Sequence, residues 1–338
     1  SCPATMEASK AADTYGLLEG NSIEMADADQ AYTQSAFRGT ETWVRLPIEP
    51  WPQAWKDKGF VDPVCRLTLS LYGHPESGAY WEQHCEKELL AKGWVPLAEE
   101  WRSCFWHPKA KAMMIVYVDD FKVAGPSGAL PQLGAELQGD PEHPERGGIN
   151  IGKPEPLGRF LGCDHKVHEH HKDPYTGAHV RAIEYDMERF FSQAVDKYCD
   201  LAKISRTSLQ NVKTPFLDED ALRRKYHIGT GGYEEPLPKG SPQPKAKAKA
   251  KATMPTKDGD SPPPAEDGQV PWGELQPLAA SILMKLLYGA RYARPDLLRA
   301  ITALARRITK WRPMQDAQLH RLMCYVKSTL HYRHYGWV

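Results

Sequence analysis

Three aspartates stand at the ends of segments whose composition predicts short strands. Asp119 and Asp120 follow the apolar run at residues 113–118, and a second strand-like run at residues 121–124 begins at once. The pair is therefore predicted at the tip of a hairpin. Because adjacent carboxylates repel each other and partial burial makes both ionised forms costly, a divalent cation is the natural compensation. Mg²⁺ prefers oxygen ligands and takes one or two carboxylates together with phosphate groups.

A third carboxylate comes from a distant part of the chain. Asp27 ends a predicted strand at residues 22–27, 92 positions before Asp119. If the two strands are neighbours, the three carboxylates converge on one metal site. Taken alone, the pattern fits an ordinary alternative equally well, in which Asp119 and Asp120 are a turn pair and Asp27 caps a helix.

The elements that must position these aspartates follow from hydrophobic periodicity. After the last predicted strands, an apolar stripe of Leu297, Ile301, Leu304, Ile308 and Trp311 predicts one helix that ends at Pro313. The other predicted elements are a helix at 5–18, a helix around 78–92, a hairpin of strands 160–167 and 179–185 around a DPYTG turn, and a helix at 187–198.

Composition bounds the class of protein. The chain has 338 residues, of which 41% are hydrophobic and 25% charged, as in soluble globular proteins. No apolar run is long enough to span a membrane, and the seven cysteines form no C-x-x-C pair. We therefore expect a cytoplasmic or nuclear protein that is not secreted and has no transmembrane segment.

Charge is distributed unevenly although the formal net charge is zero. Residues 1–150 contain 13 Lys and Arg against 22 Asp and Glu, a net of −9. Residues 272–338 contain 11 against 3, a net of +8. Between them, residues 229–271 are rich in Pro, Gly and Lys and almost free of large apolar side chains, which predicts a disordered linker or insertion. The gradient indicates one end that gathers cations and another that meets a polyanion.

The order of the motifs resembles the reverse transcriptases of copia-type retrotransposons. The segment Tyr117-Val118-Asp119-Asp120 is similar to their catalytic motif, and Asp27 with Tyr32 five places later is similar to their first aspartate motif. Further similar segments follow in the family's order. They are Val64-Cys65-Arg66-Leu67, Leu71-Tyr72-Gly73 with Trp81, Ser103-Cys104-Phe105, Leu157-Gly158-Arg159-Phe160-Leu161-Gly162, Lys213-Thr214-Pro215, Leu287-Tyr288 and Ala293-Arg294-Pro295-Asp296.

The resemblance implies roles for individual residues. Asp27, Asp119 and Asp120 would be the catalytic metal ligands for two Mg²⁺ ions, with Mn²⁺ as an alternative ion. One ion would activate the primer 3′-hydroxyl, and the other would neutralise the triphosphate. Asp27 and Asp119 match the two bridging ligands and Asp120 the weaker third. Substrate binding is implied for Ala28, Tyr32, Tyr72 and Gly73, with Tyr32 excluding a ribose 2′-hydroxyl by volume. Primer and template binding is implied for Phe160, Leu161, Gly162, Lys285, Tyr288 and Arg291.

The resemblance also implies a fold and partners. The expected fold class is α+β, a polymerase palm with a split βαβ sheet and helices on one face, followed by a helical thumb or connection region. The expected domains are a palm at 1–185 that lacks most of the fingers, a helical extension at 186–228, the linker at 229–271 and a basic helical thumb at 272–338. Partners would be an RNA or DNA template with primer and dNTPs, in a polyprotein normally joined to integrase and ribonuclease H domains; a dimer is left open.

The sequence leaves three possible functions. The first is reverse transcription, that is, template-directed DNA synthesis by two-metal nucleotidyl transfer. The second is a decayed or domesticated retroelement fragment that binds nucleic acid without catalysis. The third is another two-metal carboxylate enzyme such as a nuclease, against which Tyr32 and the Arg294-Pro295-Asp296 segment argue. A zinc site at His165, His168, His170 and His171 is a less favoured interpretation, because alternate residues of a strand face opposite sides.

Overall fold

The computed structural model describes residues 3–139, 147–218 and 271–338, together with residues 220, 222 and 225. The chain divides into two compact units. The sheet unit comprises Ser1–Met187 and Arg333–Val338, and the helical unit comprises Glu188–Tyr332. The predicted linker at 229–271 lies outside the described residues except for its last position. No helix in the described ranges combines the length and apolar character that crossing a bilayer requires.

The sheet unit is built on a six-stranded antiparallel sheet. Its strands are β1 (Asn21–Asp27), β4 (Val95–Pro96), β5 (Cys104–His107), β6 (Ala112–Tyr117), β7 (Asp120–Pro126) and β8 (Glu155–Pro156), in the order β4-β5-β6-β7-β1-β8. Strand β1 inserts beside β7, and their register pairs Ile23 with Ala124 and Asp27 with Asp120. Strand β7, which begins at Asp120, lies between β1 and β6, so the two predicted strands that lead into the aspartates are not direct neighbours and converge through β7. A separate two-stranded sheet pairs β2 (Trp43–Arg45) with β3 (Val64–Arg66).

One face of this sheet carries the main apolar core. Helix α3 (Ser77–Ala91) buries Trp81, Cys85 and Leu89, which stand four residues apart and so form one stripe. Helix α4 (Leu130–Leu137) buries its leucines in the same cluster, which includes Phe121 of β7. The short helix α2 (Gln53–Asp57) contributes no buried residue.

The opposite face is covered by helix α1 (Met6–Gly16), which the side chain of Thr5 caps by accepting a hydrogen bond from the Ala8 N–H. Because alternate strand residues point to opposite faces, Lys122 turns away from the Phe121 core and towards α1. The expectation of helices on one face is therefore wrong: burying the apolar side chains of both faces of β6 and β7 requires cover on both. The architecture is nonetheless mixed helix and antiparallel sheet, which is the α+β class.

A four-stranded antiparallel sheet completes the unit. Its strands are β9 (Arg159–Phe160), β10 (Cys163–Lys172), β11 (His179–Asp186) and β12 (His334–Trp337), in the order β12-β11-β10-β9. The predicted hairpin around the DPYTG turn corresponds to β10 and β11. Strand β12, from the other end of the chain, was not predicted, because its sequence HYGW is short and does not alternate.

A fully buried charge pair lies between α1 and the two sheets. Lys122 Nζ donates to Asp13 Oδ1 at 2.7 Å and to Ser9 Oγ at 2.8 Å, and both charged side chains have no exposed area. The Tyr185 hydroxyl donates to the other oxygen of Asp13 at 3.1 Å. Burial lowers the pKa of Lys122, while Asp13 acts in the opposite direction. Removing either partner would leave an uncompensated buried charge, so the pair fixes α1 against β7.

The helical unit contains α5 (Glu188–Ala202), α6 (Gln276–Ala293), α7 (Leu298–Ala305) and α8 (Pro313–Ser328). The single helix predicted from Leu297 to Trp311 is wrong in extent, because α7 ends at Ala305 and a 3-10 turn, Ile308–Lys310, follows. Pro313 begins α8 rather than ending a helix, since a proline at the first helical position loses no hydrogen bond. Four members of the apolar stripe, Leu297, Ile301, Leu304 and Trp311, are buried, whereas Ile308 in the turn is half-buried.

The Arg294-Pro295-Asp296 segment has a structural role in this unit. The Arg294 guanidinium donates two parallel hydrogen bonds to the Asp296 carboxylate, at 2.9 and 2.8 Å. It also donates to the Thr329 carbonyl at 2.8 Å and to the Thr329 hydroxyl at 2.7 Å. With Arg294 only 3% exposed, this network ties the end of α6 to the end of α8.

Candidate active site

The hairpin of β6 and β7 presents the aspartate pair at its turn. Tyr117 pairs with Asp120, so Val118 and Asp119 form a two-residue loop. Strand β1 brings Asp27 directly opposite Asp120, and the Ala28 N–H donates to the Asp119 carbonyl at 2.8 Å. All three aspartates therefore meet at one edge of the sheet, with Asp27 exposed and the other two half-buried.

The carboxyl groups perturb one another. Burial, a hydrogen bond to the Asp27 side chain, and the negative charges of Asp27 and Asp119 raise the pKa of Asp120 to about 7. The direct partner of Asp27 is thus Asp120, whereas the sequence resemblance pairs Asp27 with Asp119. The reason is register: Asp120 is the strand residue opposite Asp27, and Asp119 belongs to the turn.

The donor set fits a hard divalent cation in its chemistry. Mg²⁺ prefers oxygen ligands such as carboxylates, and it uses one or two of them beside phosphate oxygens and water. Within the described ranges, however, no group of three or more His, Cys, Asp or Glu side chains is arranged to hold a metal ion. The site thus offers a close pair, Asp27 and Asp120, with Asp119 adjacent in the turn.

The turn itself is strained. Val118 has φ of 62°, in the region that favours glycine, and it occupies the first position of a two-residue hairpin loop. A β-branched residue in this conformation is a genuine outlier and costs about 1–3 kcal/mol. The Trp81 indole N–H donates to the Val118 carbonyl at 2.6 Å and so holds the turn from α3. Strain of this kind is concentrated at functional sites.

Two aromatic side chains lie beside the carboxylates. The rings of Tyr32 and Tyr72 are stacked, with centroids 4.4 Å apart and planes 30° apart. Burial, Tyr72 and the charge of Asp119 raise the pKa of Tyr32, which shows that Tyr32 is near the aspartates. Two predicted substrate residues are thus brought together, although Ala28, a third, is buried at 5% exposure and faces the site through its backbone.

The Tyr72 loop is anchored to both of its neighbours. The Ser35 hydroxyl donates to Ser70 Oγ at 3.0 Å, which ties this loop to the turn that carries Tyr32. Ser77 at the start of α3 donates to the Leu71 carbonyl at 2.7 Å. Gly73 follows with φ of 90° and no atom within 4 Å of a β-carbon placed there, so backbone is open to a ligand.

The predicted primer-contacting segment divides into a buried and an accessible part. Phe160 is 1% exposed, and the Lys122 ammonium lies 4.3 Å from its ring centroid. Phe160 is therefore a packing residue, because its ring supports the buried cation. Leu161 and Gly162, with φ of 50° and 76°, form the tip of the β9–β10 hairpin, and primer contact stays a prediction for them.

The other predicted nucleic-acid residues lie in the helical unit. The Lys285 ammonium is 5.5 Å from the Phe190 ring, and Tyr288 contacts the same ring at a centroid distance of 5.6 Å. Arg291 lies further along α6 and is exposed. The three residues follow one another along α6, and their predicted contact with primer and template stays a prediction.

Two of the four histidines considered for a zinc site, His165 and His168, contact other residues instead. His165 is buried, with Nδ1 3.1 Å from the Gly158 carbonyl and Nε2 3.9 Å from Asp13 Oδ2. Burial and the charge of Lys122 lower the pKa of His165 to about 4. His168 contacts the Glu184 carboxylate at 2.8 Å on the opposite face of the strand.

Sequence reasoning missed two features of the site. Trp81 was noted as part of a motif, yet nothing in its spacing shows that its indole holds the Val118 turn. The Lys122–Asp13 pair was not predicted either, although a lysine two residues after Asp120 in an apolar strand was a visible signal.

A cavity of about 570 Å³ beside the turn is lined by Tyr32, Trp81 and Val118. Among the described residues, Glu82, Glu86 and Glu99 also line it and outnumber the one arginine there, Arg102, which disfavours a phosphate ligand.

Comparisons with known proteins add little to this geometry. No protein-family model matches the sequence, and no curated protein matches it. Among solved structures, that of telomerase from Candida albicans in complex with a TWJ fragment of telomeric RNA matches with 13% sequence identity and a TM-score of 0.28. The match covers 48% of this chain and 33% of the telomerase chain. A likeness at this level does not establish a shared fold or activity, so the site must be judged on its own residues.

Proposed function

We propose that this chain is a DNA polymerase of the reverse-transcriptase type, which extends a primer with dNTPs on an RNA or DNA template. The single observation that carries the proposal is the pairing of Asp27 with Asp120 on adjacent strands, with Asp119 in the turn beside them and the Tyr32–Tyr72 stack nearby. A metal-dependent nucleotidyl transfer needs such a set of carboxylates next to a surface that can hold a nucleotide.

The residues would divide the work between metal and nucleotide. Asp27 and Asp120 would hold a divalent ion between them, and Asp119 would contribute from the turn. When bound, Mg²⁺ supplies charge that activates the primer hydroxyl and neutralises the triphosphate. Tyr32 and Tyr72 offer an aromatic surface for the sugar and base, and the open backbone at Gly73 permits close approach.

A second candidate is a protein that binds nucleic acid without extending a primer. The observation that favours it is that the described residues contain no preassembled group of three metal ligands. In this case the aspartates would be remnants of a site and the nucleic-acid affinity would reside in basic surfaces alone.

Primer extension separates these candidates. The full chain is incubated with dNTPs and a primer annealed to an RNA or a DNA template, with Mg²⁺, with Mn²⁺ or with EDTA. The proposal predicts metal-dependent extension that falls by at least about a hundredfold in Asp27→Asn and in Asp119→Asn, since each change removes a charged ligand. Asp29→Asn is the matched control, because Asp29 is an exposed acid two residues from Asp27 and should leave extension intact.

The outcomes are distinct. Binding of the primer–template without extension in any metal favours the second candidate. If both Asp27→Asn and Asp119→Asn still extend the primer, these carboxylates are not the catalytic metal ligands.

A further inference from the structure

A cleft of about 610 Å³ lies wholly within the helical unit and is separate from the aspartates. One wall is the segment at residues 215–217, and the other is formed by α7, the two arginines that follow it and α8. None of the described residues that line the cleft is acidic. Its lining includes Phe216, Leu217, Arg299, Arg306, Arg307 and Gln318.

The extended wall is held in place by side chains of α8. Arg321 Nε donates to the Thr214 carbonyl at 3.0 Å. Ser328 Oγ accepts the Val212 N–H at 2.9 Å, and Lys327 Nζ donates to the Leu209 carbonyl at 2.6 Å. The Thr214 hydroxyl in turn donates to the Phe216 carbonyl at 3.2 Å, so these hydrogen bonds tie the segment that carries Phe216 to α8.

The chemistry of the cleft combines an aromatic face with fixed positive charge. Phe216 is 45% exposed although it is large and apolar, and the Arg299 guanidinium lies 5.7 Å from its ring centroid. Arg306 is also exposed, on the wall that carries Arg299. Guanidinium groups bind phosphates through paired hydrogen bonds, and aromatic rings stack with any nucleobase.

Charge near the cleft also favours an anion. The Asp316 carboxylate is occupied by the N–H groups of Glu274 and Leu275 and by the Trp311 indole, at 2.6–3.2 Å. Asp218 and Asp220 follow Leu217 and are acidic, so the charge that favours an anion comes from residues 272–338. Residues 272–338 as a whole carry a net charge of +8. A chain of phosphates thus meets a favourable field on this side of the unit.

We propose that this cleft is a binding site for single-stranded nucleic acid, in which phosphates contact Arg299 and Arg306 and a base stacks on Phe216. Its volume is that of a small-ligand site, enough for about one or two nucleotides. Lys285, Tyr288 and Arg291 do not line it, so it is distinct from the predicted primer–template residues. An acidic peptide would satisfy the arginines but would leave the exposed ring without a flat partner.

The test is the affinity of the full chain for a fluorescent oligothymidine of about eight nucleotides, within the site sizes of single-strand binders. Anisotropy is measured in EDTA and without dNTPs, so that metal chemistry plays no part. Arg299→Ala and Arg306→Ala should each raise Kd by about fivefold or more and reduce the salt dependence, because each loses a phosphate contact. Lys310→Ala is the control, since Lys310 is exposed in the next turn but does not line the cleft.

Stacking is tested by Phe216→Ala and by a strand of equal length without bases. Phe216→Ala should weaken binding of oligothymidine by about tenfold and leave binding of the abasic strand unchanged. Equal losses in Lys310→Ala and Arg306→Ala, or no loss in any variant, would overturn the proposal. Equal affinity for a polyglutamate peptide of the same charge would overturn it in favour of a protein partner.

The result is independent of the proposed function. Asp119→Asn should bind the oligothymidine as the wild type does, whereas it should lose primer extension. Failure of extension with intact strand binding therefore contradicts only the polymerase proposal, and the opposite result contradicts only the cleft proposal.

Discussion

At the scale of residues, the site depends on charges that the fold brings too close together. Burial, the Asp27 side chain and the negative charge of Asp119 raise the pKa of Asp120 to about 7. Tyr32 lies near enough to the aspartates for the Asp119 charge to raise its pKa. Its ring is stacked on that of Tyr72. In the proposed function, these side chains are where a metal and a nucleotide sugar would meet.

Tyr32 is predicted to select the sugar. Replacing it in Tyr32→Val removes the ring that would exclude a 2′-hydroxyl, so the preference for dNTPs over rNTPs should fall by about 10- to 100-fold. The measurement is the ratio of incorporation efficiencies for each nucleotide pair. Tyr175→Val, at a position 86% exposed and outside the site, is the control and should leave the ratio unchanged. An unchanged ratio in Tyr32→Val would contradict the assigned role.

His165 is predicted to make the sheet unit sensitive to acid. It faces Asp13 of α1, Lys122 of β7 and Tyr185 of β11, with Cys163 on its own strand. Burial and Lys122 lower its pKa from 6.5 to about 4, so the unfolded chain binds more protons between these values. The free energy of unfolding should therefore be highest above about pH 6.5 and should fall by up to about 3 kcal/mol towards pH 4.

The variant His165→Gln cannot titrate and should lose less stability over the same range. Urea unfolding at about pH 7 and about pH 4.5 measures the difference. His179→Gln, at an exposed position on β11, should retain the pH dependence of the wild type. Parallel pH curves for wild type and His165→Gln would refute the explanation.

At the scale of elements, the turn between β6 and β7 is held in a conformation that its sequence does not favour. Val118 stands where a glycine is usual, and Trp81 on α3 and the Ala28 backbone contact the carbonyl groups of this turn. The surrounding elements therefore impose the geometry that presents Asp119 and Asp120. Such imposed strain fixes side chains in place at a cost in stability.

Val118→Gly tests this strain. Glycine adopts positive φ freely, so the change should cost less unfolding free energy than Val123→Gly on β7, by about 1–2 kcal/mol. Val123 is the matched control because it is a half-buried valine of the same hairpin with ordinary strand backbone. Chemical denaturation of both variants gives the comparison, and equal losses would show that the turn stores no strain.

The hairpin also shows how far sequence reasoning reached. Apolar alternation predicted β1, and apolar runs predicted β6 and β7. The convergence of the aspartates was a conditional prediction, and it depends on β7, which lies between β6 and β1. Sequence could not show that Asp120 rather than Asp119 faces Asp27, because register depends on pairing between distant strands. It also could not show that Phe160 is buried or that β12 joins β11, since both depend on contacts far apart in the chain.

Gly289 is predicted to be required where α6 meets α5. A β-carbon at this position would lie 2.7 Å from Cζ of Phe191 and 2.8 Å from Cε1 of Phe190. Helix propensity favours Gly289→Ala by about 1 kcal/mol, but overpacking costs about 1–3 kcal/mol, so we expect a net loss of stability. Gly128→Ala, with nothing within 4 Å, is the control and should show no loss. A stabilised Gly289→Ala variant would contradict the close packing.

At the scale of the whole molecule, opposite charges are segregated along a chain that is neutral overall. The first 150 residues carry −9 and the last 67 carry +8. The acidic part contains the three aspartates, and the basic part contributes α6 to α8 with their exposed arginines. This segregation fits a protein that concentrates cations at one site and nucleic-acid phosphates at another.

The most direct test of the account is the effect of Mg²⁺ on the melting temperature of wild type, Asp119→Asn and Asp29→Asn. If the three carboxylates are metal ligands, Mg²⁺ should raise the melting temperature of the wild type and of Asp29→Asn by about 2–4 °C. Asp119→Asn should melt at the same or a higher temperature than the wild type in EDTA, because it relieves repulsion, and should lose most of the Mg²⁺ effect. A variant that melts lower in EDTA, together with a wild type that does not respond to Mg²⁺, would contradict the account and leave the aspartates as parts of a turn.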